Sequence, residues 1–347
     1  MQFNRLKNKI DTKLAKFIDE IDKQYSLNKI SPLIFRSLKD FALRKGKRIR
    51  PILFVMGYLG FSKKEAAGLY KTALSIELLH DFLLVHDDII DKSDKRRGKP
   101  SMHVMLNNHL KSYKKIKFNG QDLSIVLGDI MYAMAINAFL SIKEDMSRKE
   151  RALKKFIDTA MYTGCGEFIE LINGANPIEK VTKQNIYQVY DYKTAHYTFS
   201  TPLATGAILA GAPSAQVDKL FKFGIYLGRA FQIKDDILGM FEEEEKLGKS
   251  TLTDLQEGKK TILIWHAYNH SKGKDKSLIK AILSKKKVTR TDLARMRQLM
   301  EKSGALDYAK KEVESLIKKA KATILSSKIK PVYKETLSDY CRKILKL

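Results

Sequence analysis

Residues 82–91 read FLLVHDDIID, and residues 229–239 read RAFQIKDDILG. Each is an apolar segment that delivers an Asp-Asp pair followed by two aliphatic residues. On a helix, Asp87 and Asp91 stand four residues apart and share one face, while Asp88 points about 100° away. Two carboxylates on one face, beside an apolar stripe, repel each other unless a cation compensates. Oxygen-only ligands suit Mg²⁺, which binds through a few carboxylates plus substrate phosphates and keeps several waters. One acidic pair on a helix is most often a solvated face. Two similar pairs, each inside an apolar helical segment, are far harder to assign that way.

Around these segments the apolar residues keep helical spacing. Leu6, Ile10, Leu14, Phe17 and Ile21 form one stripe, and Ala73, Ile76, Leu79, Leu83 and Ile90 another. From Ile125 to Leu140 and from Phe221 to Leu238 the chain is apolar nearly all round, as in buried central helices. Only 7 prolines and 19 glycines interrupt 347 residues, and no run alternates convincingly as a strand. The expected fold is an all-α bundle of roughly ten or more helices, its central helices about 20 residues long. A single domain over residues 1–347 is expected. Residues 92–121 are predicted to hold a loop with a short helix, and residues 269–290 a second polar connection.

The composition, 44% apolar, excludes a chain disordered over most of its length. Net charge is +26, from 65 basic and 39 acidic side chains. Nucleic acid, an anionic membrane surface or a phosphorylated substrate could each answer such an excess. Runs such as Lys285–Lys287 and Lys318–Lys321 carry no interleaved aromatic residues for base stacking, which argues against nucleic acid. Cys165 and Cys341 make no disulfide framework and have no metal-ligand spacing partner. The amino terminus, MQFNRLKNKIDTKLAKFIDEID, reads as an amphipathic helix, neither a signal peptide nor a membrane span. A soluble, cytoplasmic protein with no integral membrane segment is expected.

Basic clusters flank the acidic segments. Gly46-Lys47-Arg48-Ile49-Arg50-Pro51 precedes the first, and Asp94-Lys95-Arg96-Arg97-Gly98 follows it. Lys193-Thr194 and the stretch from Gly248-Lys249-Ser250 to Gly258-Lys259-Lys260-Thr261 add further donors. Arginine forks bind phosphate bidentately and lysine acts as a mobile point charge. Together with two carboxylate clusters, these residues describe a site for two diphosphates bridged by metal.

The order GKRIRP, LLHDFLLVHDDIIDKSDKRRG, LGD, GEFIE, YKTA, GRAFQIKDDILG, LGKSTLTDLQEGKKT and SGALDYAKKEV resembles the trans-polyprenyl diphosphate synthase family from near residue 40 to near 330. The resemblance implies an all-helical bundle around a deep active-site cavity, usually a homodimer, that joins isopentenyl diphosphate to allylic diphosphates head to tail. It implies that Asp87 and Asp91 hold two Mg²⁺ ions with Asp88 in support, and that Asp235 holds a third. Arg96, Lys193 and Lys249, with Gln232 nearby, are expected to grip the allylic diphosphate. Lys47, Arg50, His80 and Arg97 are expected to grip isopentenyl diphosphate. Arg48 is less clearly a ligand, and Asp236 is expected to support Asp235 or a metal-bound water. The Lys193 carbonyl, the Thr194 hydroxyl and the Gln232 amide oxygen are suitable dipoles for an allylic cation.

Two positions depart from the family pattern. The second acidic motif ends in Gly239, where many relatives have a third Asp, and Glu167 stands where Gln is usual. Glu170 is open to two readings, a contact through metal-bound water or a structural ion pair. A terpene cyclase would typically replace the second Asp-rich motif and would not need Lys47, Arg50 and Arg97. A non-catalytic synthase subunit would be expected to lose one acidic cluster, and a nucleic-acid binder would need neither. Product length is read from Phe82 and Leu83. A bulky Phe five residues before Asp87, with no insertion inside DDIID, resembles archaeal-type geranylgeranyl diphosphate synthases. A twenty-carbon product is therefore expected, with a farnesyl or longer product as the alternative.

Overall fold

The protein, seen in a computed structural model, is described over residues 2–242 and 252–345. Contacts divide it into two compact units, Met1–Phe156 with Thr205–Ala212, and Ile157–Ala204 with Pro213–Leu347.

The first unit contains α1 (Gln2–Tyr25), α2 (Leu27–Ile30), α3 (Pro32–Ala42), α4 (Ile49–Leu59), α5 (Leu69–Ile90), α6 (Met102–Leu110) and α7 (Gly120–Phe139). It also holds the start of α8 (Met146–Ala175). The amphipathic stripe of α1 is buried as its spacing predicts, with Ile10 and Leu14 fully enclosed. α5 packs against α7, α4 and α1. Ala73, Ile76 and Leu79 are buried, but Leu83 is half-buried and Ile90 is exposed, so the stripe runs out toward the acidic end of the helix. α7 is long and apolar enough to cross a membrane by length and composition, and it packs against α5 and α6. It starts in a capping box, the Asn119 side chain accepting from Gln121 N and Asp122 N while Asp122 accepts from Asn119 N.

The predicted loop at 92–121 does contain a short helix, α6. It also contains a feature the periodicity did not show, a two-residue hairpin pairing Lys95–Arg96 with Lys99–Pro100. Arg97 and Gly98 form its turn, both with positive φ (54° and 76°), as a tight hairpin of the strands' own twist requires.

The second unit takes up the rest of α8, then α9 (Lys183–Val189), a π-helical segment (Tyr190–Ser200), α10 (Thr201–Leu209, whose last residues belong to the first unit) and α11 (Ser214–Phe241). It ends with α12 (Thr253–Gln256), α13 (Ile262–His270), α14 (Gly273–Leu283), α15 (Arg290–Lys302), α16 (Ala305–Leu325) and α17 (Pro331–Leu345). α11 is its centre, packed on the π segment and on α16. Two small residues allow the close approach. A Cβ on Gly228 would meet Ala195, and one on Gly224 would meet the backbone of Ser200. Within residues 269–290, read as a polar connection, Gly273–Leu283 form α14, with short connections on either side. Two apolar side chains, Ile279 and Ile282, anchor it, and its remaining lysines hide the period.

Candidate active site

α5 brings its acidic residues out in the last turn, where Asp91 is the C-cap. The three carboxylates divide by burial. Asp88 is fully buried and accepts from Arg96 Nε at 2.7 Å, with Arg96 Nη2 also bonded to it. Burial pushes its carboxyl up to about 6 against the pull of that guanidinium. Asp87 and Asp91 are half-buried and offer oxygens within 4.8 Å of each other, and Arg96 Nη2 lies 3.5 Å from Asp87. Two hard oxygen donors one helical turn apart, reaching solvent, fit Mg²⁺.

The hairpin that follows α5 places its two arginines differently. Arg96 faces the aspartates. Arg97 reaches 3.4 Å from Asp81 and 3.8 Å from Glu77, both buried on α5. Its positive φ is the backbone condition for that reach. Glu77 also binds Arg48 at 2.6 Å. Arg48 is buried, also binds Asp11 at 2.8 Å and donates to the carbonyls of Ala42 and Arg44. Arg48 is therefore a structural member of the GKRIRP cluster. Breaking such a buried pair costs about 3–5 kcal/mol. Gly46 lies against the guanidiniums of Arg48 and Arg97, which brings this cluster beside the hairpin arginine. Lys47 is exposed and Arg50 is half-buried in the first turn of α4. His80 is half-buried with its ring Nδ1 enclosed, and desolvation of the ring with Arg50, Arg97 and Arg96 nearby pushes its pKa well down, so the ring is neutral.

Further along α5, Phe82 packs edge-on against His86 (4.7 Å between ring centres) and tilted against Tyr132 of α7 (5.2 Å). The His86 ring lies over Gly128, where a Cβ would collide with it, so the LGD segment makes room for it. Below Phe82, Leu78 and Leu79 are fully buried.

In the second unit the π segment carries Lys193 and Thr194. Its wider turns are visible at its end, where Thr201 N–H donates to His196 O, five residues back. Lys193 Nζ is paired with Glu170 and lies 2.7 Å from Glu167, both on α8. Gly166 makes that approach possible, since a Cβ there would sit 2.6 Å from Lys193 N. Glu170 thus forms the ion pair that was one of its two readings, and Glu167 joins it. Thr194 Oγ1 donates to Gln232 Oε1 (2.7 Å), and Gln232 Nε2 donates to Asp236 Oδ1 (3.0 Å). Tyr190 OH donates to Asp236 Oδ2 and accepts from Ile262 N at 3.0 Å. Burial beside Asp236 raises the Tyr190 pKa well above its ordinary value, so the phenol stays a donor.

The second Asp pair is therefore split. Asp236 is buried in this network, while Asp235, one residue earlier, is exposed on α11. Gly239 is buried one turn on. Arg229, in the same motif, forks onto Asp191 with two 2.6 Å bonds and fastens α11 to the π segment. Lys249 lies outside the described residues. Tyr190, Asp191, Glu77 and Asp81 were not singled out from the sequence. Each is an ordinary residue beside a motif, and only burial and partners reveal its part.

The family model for polyprenyl synthetase matches residues 31–300. The chain belongs to the polyprenyl synthetase family. It is a prenyl diphosphate synthase, a trans-prenyltransferase with the all-α isoprenoid synthase fold, as the order of motifs implied. It is 30% identical over 335 residues to the geranylgeranyl diphosphate synthase of Saccharolobus solfataricus, covering 94% of this chain and 92% of that one. It is 30% identical over 304 residues to the short chain isoprenyl diphosphate synthase of Methanocaldococcus jannaschii, covering 87% and 83%. A geranylgeranyl pyrophosphate synthase from Corynebacterium glutamicum, solved with isoprenyl diphosphate and magnesium, shares the fold. Its TM-score is 0.89 at 24% identity, over 100% of this chain and 99% of that one.

Proposed function

We propose that this synthase condenses isopentenyl diphosphate with dimethylallyl, geranyl and farnesyl diphosphates, and that geranylgeranyl diphosphate is its main product. The observation that carries the reading is the paired acidic motif, with a half-buried Asp87–Asp91 pair on α5 and an exposed Asp235 on α11. Asp87, Asp91 and Asp235 would hold Mg²⁺, three ions once diphosphate is bound, which supplies positive charge to the leaving diphosphate.

Arg96, Lys193 and Lys249 bind the allylic diphosphate, and Asp88 orients Arg96. Lys193 exchanges its pairing with Glu167 and Glu170 for the phosphate. Lys47, Arg50 and Arg97 bind isopentenyl diphosphate, and the neutral His80 offers a hydrogen bond without adding charge. As the allylic carbon–oxygen bond breaks, the Thr194 hydroxyl, the Lys193 carbonyl and the Gln232 amide oxygen present negative dipole ends to the cation. Thr194 donates its proton to Gln232, so its lone pairs stay available. The isopentenyl double bond attacks the cation, and the proton lost in closing the new alkene passes to the departing diphosphate.

A second copy of the chain is the expected partner. On α8, Ile157, Met161, Phe168 and Ile172 recur at helical spacing and are exposed, Phe168 by 66%. On α7, Ile125 and Val126 are also exposed. An exposed apolar stripe along one helix, as on α8, marks an association surface.

The test is incorporation of labelled isopentenyl diphosphate with each allylic primer, with and without chelator, followed by sizing of the dephosphorylated products. Chelator-sensitive formation of a twenty-carbon product is expected. A main product of fifteen carbons, or of twenty-five or more, would refute the chain-length assignment alone. Incorporation that persists in chelator would refute the metal assignment.

A further inference from the structure

The segment joining α6 to α7, Lys111-Ser-Tyr-Lys-Lys-Ile-Lys-Phe-Asn119, is exposed at every residue. Three of those residues are apolar or aromatic: Tyr113 is 56% exposed, Ile116 39% and Phe118 46%. Four lysines, Lys111, Lys114, Lys115 and Lys117, alternate with them, and no acidic residue occurs from Lys95 to Gln121.

Both feet of the segment are tied down. Tyr113 N donates to Leu110 O at 3.0 Å, and Ser112 Oγ to His109 O at 3.0 Å. Gly120 N donates to Asn107 Oδ1 at 2.7 Å, and Asn119 caps α7. Near the tip, Lys115 adopts a left-handed conformation (φ 59°). The Tyr113 ring rests against His109 of α6 (5.7 Å between ring centres) and is still more than half exposed, and Ile116 and Phe118 are exposed beyond it.

The other basic runs differ. Beside Lys318 and Lys319, Leu316, Ile317 and Ala320 are buried, and Val288 after Lys285–Lys287 is buried. Those lysines are the solvated side of packed elements. In 111–119 the apolar and the cationic side chains share one exposed surface.

We propose that this segment is a docking loop for an anionic lipid bilayer. Tyr113, Ile116 and Phe118 enter the headgroup–acyl boundary while the lysines lie at the level of the lipid phosphates. A single-stranded nucleic acid fits less well. Ile116 has no face on which a base could stack, and the segment contains no arginine for the planar contacts such sites use.

The test uses the full-length protein and sedimentation with phosphatidylcholine vesicles, with and without phosphatidylglycerol. The wild type is expected to pellet with the anionic vesicles and to be released by high salt. The Tyr113→Ser/Ile116→Ser/Phe118→Ser and Lys114→Gln/Lys115→Gln/Lys117→Gln variants should each lower the partition coefficient at least about tenfold. Their turnover of soluble substrates should match wild type, which confirms folding, and vesicle binding needs no turnover. The proposal is overturned if the wild type stays in the supernatant or if the apolar variant pellets like wild type. Loss in the lysine variant alone would overturn it too, because attraction without insertion is what a +26 charge produces anywhere on the surface. So would binding of labelled oligouridylate, but not of vesicles, that both variants abolish.

Discussion

Asp87 and Asp88 are chain neighbours with opposite surroundings, and the difference decides what each substitution does. Asp87→Ala or Asp91→Ala removes a half-buried carboxylate, whereas Asp88 is enclosed and holds Arg96. Turnover should fall by about three orders of magnitude, roughly 4 kcal/mol of transition-state stabilisation, with the helical circular dichroism of wild type. Near-normal turnover at saturating Mg²⁺ would remove these residues from the metal site. Tyr190 acts at one remove, through Asp236 and Gln232. Tyr190→Phe leaves the carboxylate with one donor fewer and the Ile262 N–H without its phenol acceptor. The expected result is a kcat about tenfold lower, near 1.4 kcal/mol, with both Michaelis constants within about twofold of wild type. A rise in KM with unchanged kcat would mean that Tyr190 serves binding instead. His266 gives a pH signature away from the site. It is buried, stacked between His270 (3.8 Å) and Tyr308 (4.3 Å), and burial with the neighbouring His270 pushes its pKa down to about 4. The unfolded chain takes up this proton near pH 6.5 and the folded chain only near 4, so stability is full above 6.5 and is lost as pH falls toward 4. Denaturant titrations should show a decline of about 2–3 kcal/mol over that window, and His266→Gln should remove most of it. A slope that survives in the variant would assign it to other groups.

At the level of elements, the proposed function gives α5 two tasks, metal platform and cavity wall. Phe82 is wedged between His86 and Tyr132 one turn before the aspartates, with Leu78 and Leu79 closing the turn beneath. Phe82→Ala opens that turn, and sized products should lengthen by one or more five-carbon units. Unchanged products would place the stop on another element. Much of this was legible in the sequence. The 3.6-residue period located α1, α5 and α11 because long apolar stripes are buried along them, on α5 as far as Leu79, and the Asp spacing gave the face. Two elements were not legible, for different reasons. α14 rests on only Ile279 and Ile282 among lysines, too few anchors for a period to show. The π segment looks like any helix in one dimension, and its close packing on Gly224 and Gly228 of α11 is a tertiary contact that periodicity does not carry. The hairpin at 95–100 hid because its turn uses Arg97, a residue that turn chemistry does not favour.

For the molecule as a whole, the motifs lie in both compact units, and the family match from 31 to 300 runs across both. Motif order was enough to name the class of reaction because ligand chemistry constrains residue type. Burial was not legible: neither the enclosure of Arg48 nor the split between Asp235 and Asp236 follows from composition. Quaternary structure is testable through α8. Phe168→Glu places a charge on an apolar stripe, and light scattering should show the mass fall from two chains to one. A variant that keeps the wild-type mass would move the interface elsewhere. The π-helical segment also bears on how this chain can change length over generations. Deleting one residue between Tyr190 and Ser200 would turn everything before it by roughly a quarter of a turn against everything after it. Lys193, Thr194 and the Asp191–Arg229 clasp could not all keep their places. The 111–119 segment, tied only at its feet, can gain or lose residues at its tip without moving either helix. Length variation among relatives should collect there and be absent from 190–200.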